Sequence, residues 1–262
     1  MGISIPLLAV MIAAILQQTP TQTTRPQTPP TSVPLSSIFR ILCTTTNSQG
    51  TAFLHKSGKV ITAAHVVAGC DAAGLQLRGP TGSFGVSAIA RDVARDLALL
   101  SLATPVNVPA YRIAGKISMP TGSPVFALVF PGGYSGRQSL FVGGHFSGLD
   151  HLEFPRAGEY VQRLVINIAF SPGTSGGPLL FNNEVVGVVS SGMKPTTPRV
   201  AQLMRALEKQ TAGDISITIE GQNGQKVVLS QSQAIAEVFH YFGRHIELGL
   251  GHAVMLPHIR EF

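Results

Sequence analysis

A histidine at 65, an aspartate at 96 and a serine at 175 each stand at the edge of an apolar run, and in that order along the chain they could carry out acyl transfer. His65 follows Val60-Ile61-Thr62-Ala63-Ala64, and the two alanines leave space for the imidazole to approach a hydroxyl. A general base must come within about 3 Å of the proton it takes. Asp96 heads the apolar stretch Leu97-Ala98-Leu99-Leu100, where a carboxylate can be buried and needs a partner for its charge; an imidazole N–H supplies one. Asp92 competes for this role, but Val93 and Ala94 separate it from the strand, so it is expected in solvent. Ser175 lies in Ser171-Pro172-Gly173-Thr174-Ser175-Gly176-Gly177-Pro178. The glycines let the backbone turn tightly around the serine and aim the N–H groups of Gly173 and Ser175 at one point, an oxyanion site. Taken singly, each segment has a plainer reading as a structural histidine, a loop carboxylate or a glycine-rich turn.

The elements that must hold these residues read as short strands. Of 262 residues 44% are hydrophobic and only 12% charged, with 28 Gly and 18 Pro, which fits a globular chain of short strands and tight turns. Gly50 to Leu54 and Val60 to Thr62 read as a hairpin around Ser57-Gly58 that ends in the histidine. Beyond Ser175, Leu179-Leu180-Phe181 and Val185 to Val189 read as a second hairpin around Asn182-Asn183. The net charge of +6 is scattered rather than clustered, so nucleic acid is not an expected partner.

Thr62-Ala63-Ala64-His65-Val66-Val67, Asp96-Leu97-Ala98-Leu99-Leu100 and Gly173-Thr174-Ser175-Gly176-Gly177-Pro178-Leu179-Leu180 together resemble the trypsin/chymotrypsin superfamily, and most of all its bacterial HtrA/Deg-type branch. The resemblance spans roughly Ile38 to Gly192. It implies an all-β fold of two six-stranded antiparallel barrels with a serine endopeptidase site between them. By the same resemblance His65 is the base, Asp96 its orienter, Ser175 the nucleophile, and Gly173 with Ser175 the oxyanion donors. The specificity pocket is floored by Ala169 and walled by Ser190, Ser191 and Gly192, which implies cleavage after small or medium apolar residues. No cofactor is implied, and the partners are protein or peptide substrates. Thr174 replaces the aspartate that members activated by proteolytic trimming keep before the serine, so activation of that kind is not expected.

The C-terminal part departs from the pattern. Leu250 to Pro257 resembles the final barrel strand but lies far downstream of the pocket wall, which implies an insertion at about 194–248. Within it, Thr197-Pro198 reads as a helix start with Val200, Leu203, Met204 and Leu207 on one face. Ile215 to Ile219 and Lys226 to Leu229 read as a hairpin, and Ser232 to Phe242 as a second helix. A PDZ domain, which HtrA-type enzymes often carry, is not expected after the final strand. Residues 35–262 are read as the protease domain, 19–34 as a Thr/Pro-rich linker and 1–18 as a signal peptide or N-terminal anchor, which places the protein outside the cytoplasm. Membrane attachment through that N-terminus stays open, and no feature indicates an oligomeric state. Cys43 and Cys70 flank the histidine segment; pairing in an oxidising compartment and life as small buried groups are both open. His240, His245, His252 and His258 match no metal-ligand spacing, so no metal is expected.

Two rivals remain. Gly173-Thr174-Ser175-Gly176-Gly177 also fits the G-x-S-x-G elbow of an α/β-hydrolase esterase, with Asp214 and His240 or His252 as partners, although that serine must open a helix. The other rival is a protease-fold binding or chaperone-like protein whose activity is gated or lost.

Overall fold

The computed structural model describes residues 33–116, 118–153, 160–193, 216–220, 226–236, 238 and 249–255. Strands β1 (Ile38–Cys43), β2 (Ser48–Leu54), β3 (Val60–Thr62), β4 (Leu75–Gly79), β5 (Gly82–Asp92) and β6 (Leu97–Leu102) close into a barrel in the order β1-β2-β3-β6-β5-β4. Strands β7 (Pro124–Val129), β8 (Leu140–Glu153), β9 (Tyr160–Ile166), β10 (Pro178–Phe181), β11 (Glu184–Gly192) and β14 (Gly251–Met255) close a second barrel in the order β10-β11-β14-β9-β8-β7. All the pairings within both barrels are antiparallel, as the resemblance implies.

The period-2 pleat assigns neighbouring side chains to different cores. Ala52 and Leu54 of β2 pack inside barrel 1 with Phe39, Ile41, Val60, Leu77 and Leu100. Phe53, between them, faces outward and joins Ile38, Ile61 and Leu97 in packing against barrel 2 residues such as Leu128 and Leu179. A fully buried phenylalanine of this kind is worth about 3–5 kcal/mol on truncation to alanine, so the joint between the barrels is a second core rather than a surface contact.

The hairpin after the serine settles the choice of fold at that point. Phe181 pairs with Glu184, and Asn182 and Asn183 both take positive φ, 50° and 65°. That is the signature of a two-residue type I′ turn, whose twist matches the flanking strands. The α/β-hydrolase reading fails here: Ser175 leads into a barrel strand and not a helix.

The strand expected late in the chain closes barrel 2, with β14 inserted between β11 and β9. Before it, β12 (Ser216–Glu220) and β13 (Lys226–Ser230) form the expected hairpin, each displaced by a residue or less at its ends. Helix follows at 231–236, one residue before the expected start. The reason is a capping box: the Ser230 N–H donates to Gln233 Oε1, and the Gln233 N–H donates to Ser230 Oγ. The helix expected from Thr197, the segment 1–32, and His240, His245 and His258 lie outside the described residues. Among the described residues no helix is long and apolar enough to cross a membrane.

Candidate active site

His65 sits in a 3₁₀ turn, Ala64–Val67, that begins two residues after β3. Ala63 and Ala64 are buried, so the turn packs directly on barrel 1 and leaves the imidazole half exposed at the rim. Asp96 ends the β5–β6 turn with φ of 55°, a left-handed conformation that aspartate tolerates better than most residues. Its side chain is only 16% exposed, and four hydrogen bonds reach it. His65 Nδ1 lies 3.0 Å from Oδ1 and 2.9 Å from Oδ2, and the His65 backbone N–H donates to Oδ1 at 3.0 Å. The fourth comes from Ser190 Oγ, which donates to Oδ2 at 2.6 Å.

Burial alone would raise the Asp96 carboxyl, but the bonds and charge of His65 and the Ser190 hydroxyl outweigh it and hold the group below the ordinary carboxylate value. An ionised carboxylate only accepts, so Nδ1 carries the hydrogen and Nε2 is left as a free acceptor. Asp92 is not in solvent, contrary to expectation. Its side chain is 15% exposed, accepting from the Arg95 N–H at 3.0 Å and pairing with the Arg95 guanidinium at 3.1 Å. A partner three residues along the same turn satisfies it locally, which leaves Asp96 for the histidine.

Barrel 2 presents Ser175 on the loop before β10. Gly173 and Gly176 adopt φ of +95° and +88°, which a side chain would strain, and a Cβ on Gly176 would run into the Thr51 carbonyl and Thr62 hydroxyl of barrel 1. The Pro172 carbonyl accepts from the Gly132 N–H at 2.5 Å. Because C=O and N–H point oppositely across one peptide plane, this bond turns the Gly173 N–H the other way. Among the described residues neither the Gly173 nor the Ser175 N–H has an acceptor. The Ser175 hydroxyl donates to the Ser190 carbonyl at 2.7 Å, and no bond joins it to His65.

Ser190 therefore touches both halves, its hydroxyl on Asp96 and its carbonyl on Ser175. Thr51 is the second residue that motif reading missed. It is fully buried; its N–H donates to the Ser175 carbonyl at 2.8 Å and its hydroxyl to the Gly173 carbonyl at 2.8 Å. That hydroxyl also accepts from the Phe130 N–H at 2.9 Å. A hydroxyl beside the buried run Ala52-Phe53-Leu54 is the signal that a partner exists, though the partner lies more than a hundred residues away.

Of the expected pocket residues, Ser190 is buried, while Ala169 and Ser191 are exposed. The Phe170 ring lies against Gly251, filling the space that a side chain there would occupy. Cys43 and Cys70 are joined as a disulfide with Cα atoms 6.2 Å apart, tying the end of β1 to the loop behind His65. His252 Nε2 lies 2.9 Å from the Asp150 carboxylate.

Comparison with known proteins agrees with this fold. A family model described as a trypsin-like peptidase domain matches residues 50–188. The uncharacterized protein y4bJ of Sinorhizobium fredii is 32% identical over 149 residues, covering 55% of this chain and 22% of that protein. The chain thus spans about a fifth of the length of that curated relative. Among solved structures, the active form of the Rv3671c protease of M. tuberculosis superposes with a TM-score of 0.54 at 24% identity, covering 61% of this chain and 71% of that one. The HtrA-type protease AlgW with a tripeptide gives 0.54 at 19% identity, covering 87% of this chain and 59% of its own. The fold is therefore that of the HtrA-type proteases, and by the match over more than half its length this chain belongs to the trypsin-like peptidase domain family.

Proposed function

We propose that this chain is a serine endopeptidase that cleaves protein or peptide substrates through an acyl-enzyme, with His65, Asp96 and Ser175 as its triad. The observation that carries the reading is the pairing of His65 with an ionised Asp96 beside two unused N–H groups on the serine loop. Ser175 Oγ attacks the scissile carbonyl carbon while its proton passes to His65 Nε2. The Gly173 and Ser175 N–H groups receive the oxyanion. Nε2–H then protonates the leaving amine as the C–N bond breaks, and water attacks the ester by the same sequence in reverse. Asp96 stays ionised throughout and stabilises the imidazolium. For this cycle Ser175 must leave the Ser190 carbonyl for His65, a turn between staggered rotamers.

Specificity for small or medium apolar side chains before the scissile bond follows from an uncharged pocket of Ala169, Ser190, Ser191 and Gly192. A basic side chain would be left there without a counter-charge. An extracytoplasmic location fits both the disulfide and the apolar N-terminal run.

The alternative, a protease-fold binding protein, is favoured by one observation, the Ser175 hydroxyl resting on the Ser190 carbonyl. Hydrolysis of unfolded casein and a peptide panel by the full chain and by Ser175→Ala separates the two. The peptidase reading expects a loss of about 10⁶-fold in the variant and cuts after Val, Ala or Leu. An active Ser175→Ala protein overturns the triad; a native chain that binds peptides and cuts none supports the alternative.

A further inference from the structure

Beside His65 and Asp96 opens a cleft of about 780 Å³ walled by both barrels. Barrel 1 contributes Val93, 78% exposed, and Arg91, whose Nη2 donates to the backbone carbonyls of Val67 and Cys70. Barrel 2 contributes Ser190, Ser191 and Arg163. Arg163 stands on β9 directly across from Asp150 of β8, near enough for their charges to interact, yet the Asp150 carboxylate is hydrogen-bonded to His252. Among the described residues nothing accepts a hydrogen bond from Arg163, and its Nε is closed off from solvent without a partner. Asp96, the one carboxylate among the described residues lining the cleft, has its oxygens taken by His65 and Ser190. Among the described residues lining it the cleft thus offers Arg163 no free anion, and a guanidinium that makes no hydrogen bond there can donate to a carboxylate that enters.

The sheet fixes what lies there. β10 pairs with β11 only as far as Val188, so at residues 190–192 that edge of β11 has no strand beside it among the described residues. An extended peptide can add to such an edge as another strand. Added antiparallel, it runs with its later residues toward Ser190, where Ser175 waits, and its earlier residues toward Gly192. Its side chains alternate between faces, so one meets the apolar wall at Val93 and another extends toward the basic end of the cleft.

We propose that Arg163 selects an aspartate or glutamate about two to four residues ahead of the scissile bond, in the peptide segment that lies along this edge. The identity of the ligand as a substrate rests on the peptidase reading, but the recognition itself does not need hydrolysis. It is therefore measured by fluorescence anisotropy on the full chain carrying Ser175→Ala. The probes are labelled octapeptides bearing Glu, Gln or Lys at each of the three positions. A charge-assisted bond to Arg163 predicts that Glu at one position binds about tenfold tighter than Gln, with Lys weakest. The advantage shrinks at high salt, disappears in Arg163→Gln and Arg163→Ala, and survives in Arg112→Ala; circular dichroism verifies the fold of each variant. Equal binding of Glu and Gln at all three positions overturns the proposal, as does a Glu preference that persists without Arg163. Parallel hydrolysis by the native chain keeps the two readings apart. If it cuts nothing while the Ser175→Ala protein prefers Glu, the peptidase reading falls and the acid-selective cleft stands. If it cuts without regard to acidic residues and binding is equally indifferent, the reverse holds.

Discussion

The two barrels bring unlike halves to one site. Barrel 1 brings an assembled pair, His65 and Asp96 joined through both the ring and the backbone N–H, with the Cys43–Cys70 bridge behind the turn. Barrel 2 brings Ser175 on a glycine-rich loop, its hydroxyl bonded to a carbonyl of its own barrel instead of to the base. The first half is held by charge-assisted bonds, about twice as strong as neutral ones. The second is held by a neutral bond worth about 0.5–1.5 kcal/mol, which a rotamer change can replace at small cost. The difference teaches that the chain invests its electrostatic order in the His65–Asp96 pair and leaves the Ser175 hydroxyl adjustable, which on the proposed reading fixes the base and frees the nucleophile.

That contrast can be broken from either side. After the loss expected from Ser175→Ala, the largest expected effect is that of Asp96→Asn: loss of the carboxylate frees the wrong imidazole tautomer and lowers kcat by about 10⁴-fold, read in single-turnover hydrolysis. Next is Gly173→Ala on the barrel 2 side. A Cβ at φ of +95° is strained and would meet the Phe130 carbonyl, displacing one oxyanion donor. Steady-state kinetics should show kcat lower by about 10²–10³-fold with KM little changed.

Ser190→Ala touches both halves and sharpens the comparison. It removes one bond to Asp96, so kcat should fall by about tenfold, and the carboxyl should move back toward its ordinary value. The sign follows from the depressed value. Stability from ionised Asp96 is present above the unfolded carboxylate value, about 3.9, and is lost as pH falls through the lower folded value. Acid unfolding followed by circular dichroism should therefore be less steep below about pH 4 in the variant than in the native chain. The smallest effect on turnover is expected from the double substitution Cys43→Ser, Cys70→Ser. It opens a loop with a sequence separation of 27 and lowers stability by about 3 kcal/mol in denaturant unfolding, while kcat/KM of the folded fraction stays near native.

How far the site was legible follows from the range of each interaction. His65, Asp96 and Ser175 each sit in a short local pattern, so each could be read from its neighbours. Their barrels came less from periodicity than from the resemblance those patterns carry, because pairings such as β11 with β14 cross a long intervening segment. Ser190 was read as a pocket wall only; its link to Asp96 joins residues 94 positions apart. Asp92 was misplaced because its partner, Arg95, was not weighed as a local counter-charge. The packing of Phe170 on Gly251 depends on a loop meeting the start of β14 in space, and no spacing announces it.

Thr51 carries a consequence of another kind. From one buried position it grips the backbone carbonyls of both Gly173 and Ser175, while its own carbonyl accepts from Thr62 at 2.7 Å, in the strand that leads to His65. The proposed base and nucleophile are thus both referred to one common datum rather than each to its own barrel. In engineering terms the alignment error between them does not accumulate through the two domains; it is set across a few bonds. A chain so built is expected to tolerate drift at its outer loops while keeping His65 and Ser175 in register.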